Sequence, residues 1–101
     1  GVHMIDKESM HDWMLIEISL NWEAASVSVV FENQMSLVRT VTATEVVELY
    51  VPRKNEWGPS RCVNAIAFDS RPSQQYHSLS IEMQSGDVIR LVAKDINIPT
   101  D

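Results

Sequence analysis

The sequence predicts an all-β fold: an antiparallel sandwich or barrel of about seven short strands. Three observations carry this. Apolar and polar residues alternate with period two in several short runs, β-branched residues crowd those runs, and clusters of Gly, Pro, Asn and Ser separate them at short intervals. No long stripe of helical period intervenes, and there is no internal repeat or segment of low complexity.

The first strand rests on Met14, Ile16, Ile18 and Leu20, which alternate with Leu15, Glu17 and Ser19. The alternation assigns the first set to the core, so Met14 and Ile18 are expected there with Val29, Ile81 and Met83. Residues 21–25 break the run, and Val27, Val29 and Phe31 resume it as a second strand in a hairpin with the first. After the polar cluster Glu32-Asn33-Gln34, residues 35–43 form a third strand rich in Val and Thr. Thr44 and Glu45 interrupt, and residues 46–52 form a fourth, ended by a proline that has no N–H for a central ladder. Thr42 and Glu45 also have the capping-box spacing, which offers a helical turn over 42–49 as the alternative.

Residues 61–68 form the fifth strand and 69–75 a loop. The best-marked hairpin follows, with Leu79, Ile81 and Met83 facing one way and Ser80, Glu82 and Gln84 the other. Ser85-Gly86 provides the positive-φ position that a tight connection to residues 87–93 needs. Ile96 and Ile98 extend or pack the last strand before Pro99.

At 101 residues and 45% hydrophobic content, the chain matches one soluble domain able to bury a core without metals or disulfides. Residues 1–10 read as a tag remnant (Gly1-Val2-His3-Met4) and a lead-in, and 11–101 as a single β domain. No apolar run approaches the roughly 20 residues of a membrane helix. The lone Cys62, read as a small buried hydrophobe, excludes an intrachain disulfide; with no signal-like start it points to the cytoplasm.

The formal charge of −6 is unevenly placed. Residues 1–48 hold Asp6, Glu8, Asp12, Glu17, Glu23, Glu32, Glu45 and Glu48 against only Lys7 and Arg39, whereas acids and bases balance in the remainder. Such a surface opposes direct nucleic-acid binding, which needs clustered Lys and Arg, and suits a basic protein partner. The bland alternative is that these acids only keep the protein soluble.

No arrangement of residues compels a catalytic reading. Ser60, His77 and Asp87 are the types an acyl-transfer triad needs, but Ser60 follows Gly58-Pro59 and lacks a nucleophile-elbow context. His11, Asp12, Cys62 and His77 lack metal-ligand spacing. Glu82 and Asp87 flank one turn, but Glu82 shares the solvent face with Ser80 and Gln84, and Asp87 has a local role in accepting bonds from turn amides. The expectation is a non-enzyme with no cofactor and no metal.

Three tryptophans remain. Trp13 is expected in the core. Trp22, in a polar turn, is a contact candidate, and Trp57 lies in Glu56-Trp57-Gly58-Pro59-Ser60-Arg61, a shaped turn in which Gly58 tolerates positive φ and Pro59 fixes its own. Trp57 either touches a partner or clamps its loop, and the basic Arg53, Lys54 and Arg61 around it favour the clamp.

Val51-Pro52-Arg53, then Trp57-Gly58-Pro59-Ser60, then Ile81-Glu82-Met83-Gln84-Ser85-Gly86-Asp87-Val88-Ile89 resemble small bacterial immunity proteins of contact-dependent and other polymorphic toxin systems. The resemblance covers mainly residues 49–93. It implies a cytoplasmic inhibitor that binds a toxin domain, often a basic nuclease. On this expectation Asp12, Glu23, Glu32, Glu45 and Glu56 form an acidic contact surface, with Trp22 or Trp57 as the apolar anchor. The alternatives are a β-barrel holding a small ligand and a homo-oligomeric module that self-pairs through a strand edge.

Overall fold

A computed structural model describes residues 9–55, 61–70 and 75–99. Six strands form, and the fold is all-β: β1 (Met14–Asn21), β2 (Ser26–Glu32), β3 (Val38–Tyr50), β4 (Val63–Asp69), β5 (His77–Met83) and β6 (Val88–Asn97). They make one sheet in the order β1-β2-β3-β6-β5-β4, antiparallel at every pairing.

The sheet rolls around its core without closing into a barrel or splitting into two layers. Its edge strands β1 and β4 meet only where each begins. Met14 bridges Cys62, Asp12 N–H donates to the Val63 carbonyl (2.9 Å), Val63 N–H to Trp13 (2.9 Å) and Leu15 N–H to Arg61 (2.9 Å). The His11 Nδ1–H bonds the Asn64 carbonyl at 2.7 Å and the Gln84 amide donates to Asp12 at 2.7 Å, lacing the same seam with exposed side chains. Beyond it β1 and β4 run in opposite directions and part. Cys62 at this seam is half-buried rather than buried.

The expected third and fourth strands are one 13-residue strand, β3, so among the described residues the count is six and not about seven. The Thr44-Glu45 interruption is a kink inside a continuous ladder. Glu45 adopts φ 53°, and a bulge between Val46 and Glu48 shifts the register against β6. Bulges bend a strand while leaving its pairing on either side intact, which is how one strand serves two neighbours. Its first half pairs with β2 and its second with β6. The helical alternative over 42–49 therefore does not form, because the ladder satisfies those backbone groups and the β-branched side chains suit it.

A second bulge corrects the expected facing of β1. The register against β2 shifts between Leu15 and Glu17, so Leu15, not Met14, points into the core opposite Phe31. Met14 is 37% exposed and Ile16 52%. A one-residue shift sends side chains to the opposite face, and here it does so only for the start of the strand.

The core draws on every strand: Leu15 from β1, Val27, Val29 and Phe31 from β2, Val41 and Ala43 from β3, Val63 and Ile66 from β4, Leu79, Ile81 and Met83 from β5, and Ile89, Leu91 and Ala93 from β6. Met10 and Trp13 cap it under the seam, and the Trp13 and Phe31 rings meet tilted with centroids 6.1 Å apart, a favoured aromatic geometry.

Turns are fixed by side chains as much as by backbone. Gly86 takes φ 99° in a three-residue loop closed by Met83 N–H to the Asp87 carbonyl at 2.8 Å, matching the expected hairpin. Asn33 is buried and its side-chain oxygen accepts from the N–H groups of Met35 (2.9 Å) and Leu37 (3.0 Å), shaping the β2–β3 turn. Asp87, 5% exposed, accepts from Ser85 Oγ (3.3 Å) and also from the N–H groups of Lys54 (3.3 Å) and Asn55 (3.2 Å). Its carboxylate thus fastens the chain leaving β3 onto the β5–β6 hairpin, a wider role than fixing one turn.

Candidate protein-contact surface

The β1–β2 hairpin turns back beside the middle of β3, which runs on past it with β6 to Tyr50. Its turn is held by Asn21, whose side-chain oxygen accepts the Ala24 N–H at 3.0 Å, and by Ala25 N–H to the Trp22 carbonyl at 3.2 Å, with Ala25 at φ 51°. This geometry leaves Trp22 87% exposed. On the β3 side, pairing with β2 ends near Ala43, and Val46 N–H to the Ala25 carbonyl (2.9 Å) is the last backbone bond between that turn and β3. From Val47 to Tyr50, β3 has a strand neighbour only on its β6 side among the described residues.

The missing neighbour leaves a hollow of about 420 Å³ lined by Leu20, Trp22, Ala25, Val46, Val47, Glu48 and Leu49. Leu20 pairs with Val27 and so belongs to the inward face, yet it is 50% exposed because β4 has already diverged from β1. Val47 is 59% exposed. An uncovered apolar surface rimmed by polar groups is the usual mark of an interaction site.

One carboxylate lines this hollow and two more stand next to its lining residues in the chain. Glu23 is exposed in the turn itself, Glu45 follows the kink beside Ala25, and Glu48 lines the wall. Glu48 lies 3.3 Å from the Arg90 guanidinium and Glu45 3.8 Å from the Lys94 ammonium. Both pairs are exposed, where such ion pairs are worth about 0–1 kcal/mol and exchange readily for a partner's cation.

Of the residues singled out in sequence, Trp22, Glu23 and Glu45 therefore come together. Asp12 and Glu32 do not join them. Both stand at the other end of β1, Asp12 in the seam and Glu32 opposite Met14, a strand length of about 25 Å away. Glu56 and Trp57, with the turn that carries them, lie outside the described residues. Leu20, Val46, Val47 and Leu49 were not singled out; the Val46-Val47 doublet after Glu45, which breaks strict alternation, is the signal that marks them.

The catalytic residue types are not assembled. His77 and Asp87 stand at opposite ends of β5, about 20 Å apart by strand rise, and Ser60 lies outside the described residues. Glu82 accepts from the Asn64 amide on the surface while Asp87 is buried in its clamp. Among the described residues no three His, Cys, Asp or Glu side chains gather in a metal-binding group.

No family model matches the chain, and no curated protein matches it. A solved structure does: the crystal structure of an uncharacterized protein from Neisseria gonorrhoeae, with a TM-score of 0.67, 15% identity, and coverage of 86% of this chain and 89% of that one. The likeness is one of fold. It extends over nearly the whole of both chains, so the rolled six-stranded sheet is an architecture the two have in common.

Proposed function

We propose that the chain is a protein-binding module that seats a basic partner domain against the hollow at the β1–β2 tip, in the manner of an immunity protein that neutralises a toxin. The observation that carries this reading is Trp22, 87% exposed on a capped turn beside Leu20 and Val47, with Glu23, Glu45 and Glu48 around it. An aromatic side chain that loses little conformational entropy on binding, ringed by polar residues, has the anatomy of an interface hot spot. The excess negative charge of residues 1–48 supports a basic partner, because opposite fields speed encounter and disfavour wrong partners.

The test is a calorimetric titration of the purified chain with the product of the adjacent reading frame, repeated as ionic strength is raised from about 0.05 to about 0.5 M. The proposal expects a one-to-one complex whose affinity falls steeply with salt. Absence of binding to that product, or association indifferent to salt, removes the immunity reading.

A further inference from the structure

At the far end of β6 the structure holds a different kind of hollow. Phe68 and Ser70 from the end of β4, His77 from the start of β5, and Asp95, Ile96, Asn97 and Ile98 enclose about 250 Å³. A second hollow of about 260 Å³, lined by Thr42, Thr44, Asp95, Ile96 and Asn97, shares the Asp95–Asn97 stretch with it. Neither shares a lining residue with the Trp22 hollow.

The polar chemistry here is of one kind. The polar residues that line the two hollows are Asp95, Asn97, Ser70, Thr42, Thr44 and His77, and no Lys or Arg is among their described lining residues. Lys94, next in sequence, has its ammonium 3.8 Å from Glu45. His77 Nδ1 is buried and has no hydrogen-bond partner among the described residues. That atom has no exposed surface, so the imidazole meets the hollow only through the rest of its ring. Phe68 lies beside it, with ring centroids 6.3 Å apart and planes tilted by 41°, and adds an aromatic face.

These features exclude most ligand classes by charge. An anion would meet Asp95 with no cation among the described lining residues to offset the repulsion, and a wholly apolar molecule would leave Asp95 and Asn97 without partners. A planar or tetrahedral cation fits the rest: Asp95 for its charge, Asn97 and Ser70 for its N–H groups, and the Phe68 face for its surface.

We propose that this hollow is a binding site for a small organic cation, a guanidinium or primary ammonium head group. The head group has two sources, a free small molecule or the side chain of an arginine or lysine on a partner, and the chemistry is the same for both. The site is independent of the reading of the Trp22 surface and stands or falls separately from it.

The test is an NMR titration of the isotope-labelled chain with methylguanidine at pH 8. The readouts are the Asn97 side-chain amide and the His77 ring signals. The expected result is a saturable shift in both, with affinity at least about tenfold weaker in Asp95→Asn, since a hydrogen bond to a charged group is worth about 1.5–3 kcal/mol. Ser70→Ala is expected to weaken binding severalfold while the amide spectrum stays that of the folded chain. Two further ligands separate the sources: tighter binding of a blocked Gly-Arg-Gly peptide than of agmatine assigns a partner side chain, and the reverse assigns a free cation. No saturable shift, or equal affinity in wild type and Asp95→Asn, overturns the proposal.

Discussion

In β5, Leu79 and Ile81 are fully buried and Met83 nearly so, whereas in β1 Ile18 is only partly covered and Leu20 is 50% exposed, although both strands alternate apolar and polar residues. The difference lies in the neighbours. β5 is flanked by β4 and β6 along its length, while β1 has β2 on one side and meets β4 only at the seam. Periodicity determines which residues share a face; the sheet's shear determines whether another strand covers that face. The uncovered stretch of β1 and the second half of β3, which among the described residues has a strand neighbour only on its β6 side, together make the tip hollow, so the same geometry that leaves the sheet unclosed creates the candidate contact surface.

The contrast is broken most severely by shortening one side chain in each region. Ile81→Ala, in the covered half, is expected to cost about 2–5 kcal/mol because the cavity is walled on all sides, and Leu20→Ala about 1 kcal/mol or less because half of the side chain already meets water. Urea unfolding of the two variants measures both, and equal losses would mean that the tip is as well packed as the core.

Less severe is release of the clamp that steadies the covered half. Asp87→Ala removes the acceptor for Lys54 and Asn55 and is expected to cost about 1–3 kcal/mol; the bonds are long, at 3.2–3.3 Å, which favours the lower part of that range. Hydrogen exchange provides the sharper readout, since the Lys54 and Asn55 amides should lose protection while Leu91 and Ile81 keep theirs. The smallest effect belongs to the tip: Ala25 holds φ 51°, a conformation that costs an L-residue about 1–2 kcal/mol, and Ala25→Gly relieves it at an entropic cost of about 0.5–1 kcal/mol. A net gain of about 0.5 kcal/mol is expected in the same urea experiment.

The particular residues show where the sequence was readable. The β5–β6 hairpin was, because alternation and Gly86 agreed on one local answer, and so were the buried Trp13 and the exposed Trp22. Glu45 misled, because a residue at positive φ within a ladder looks in sequence like the end of a strand, and one long strand was divided in two. Met14 misled for a related reason: the bulge at Leu15–Glu17 is a matter of pairing with β2, and nothing in β1 alone records it. The acids were read as one surface because composition carries no distances. Only the pairing shows that the turn carrying Glu23 lies against β3 next to Glu45 while Asp12 and Glu32 stand a strand length away.

Trp22→Ala tests the division between covered core and open contact surface most directly, by calorimetry against the basic partner together with thermal unfolding of the free chain. The account predicts a loss of affinity of about 2 kcal/mol or more, near thirtyfold, with the melting temperature within about 4 °C of wild type. Unchanged affinity with a large drop in melting temperature would contradict it, and would make Trp22 part of what holds the fold together.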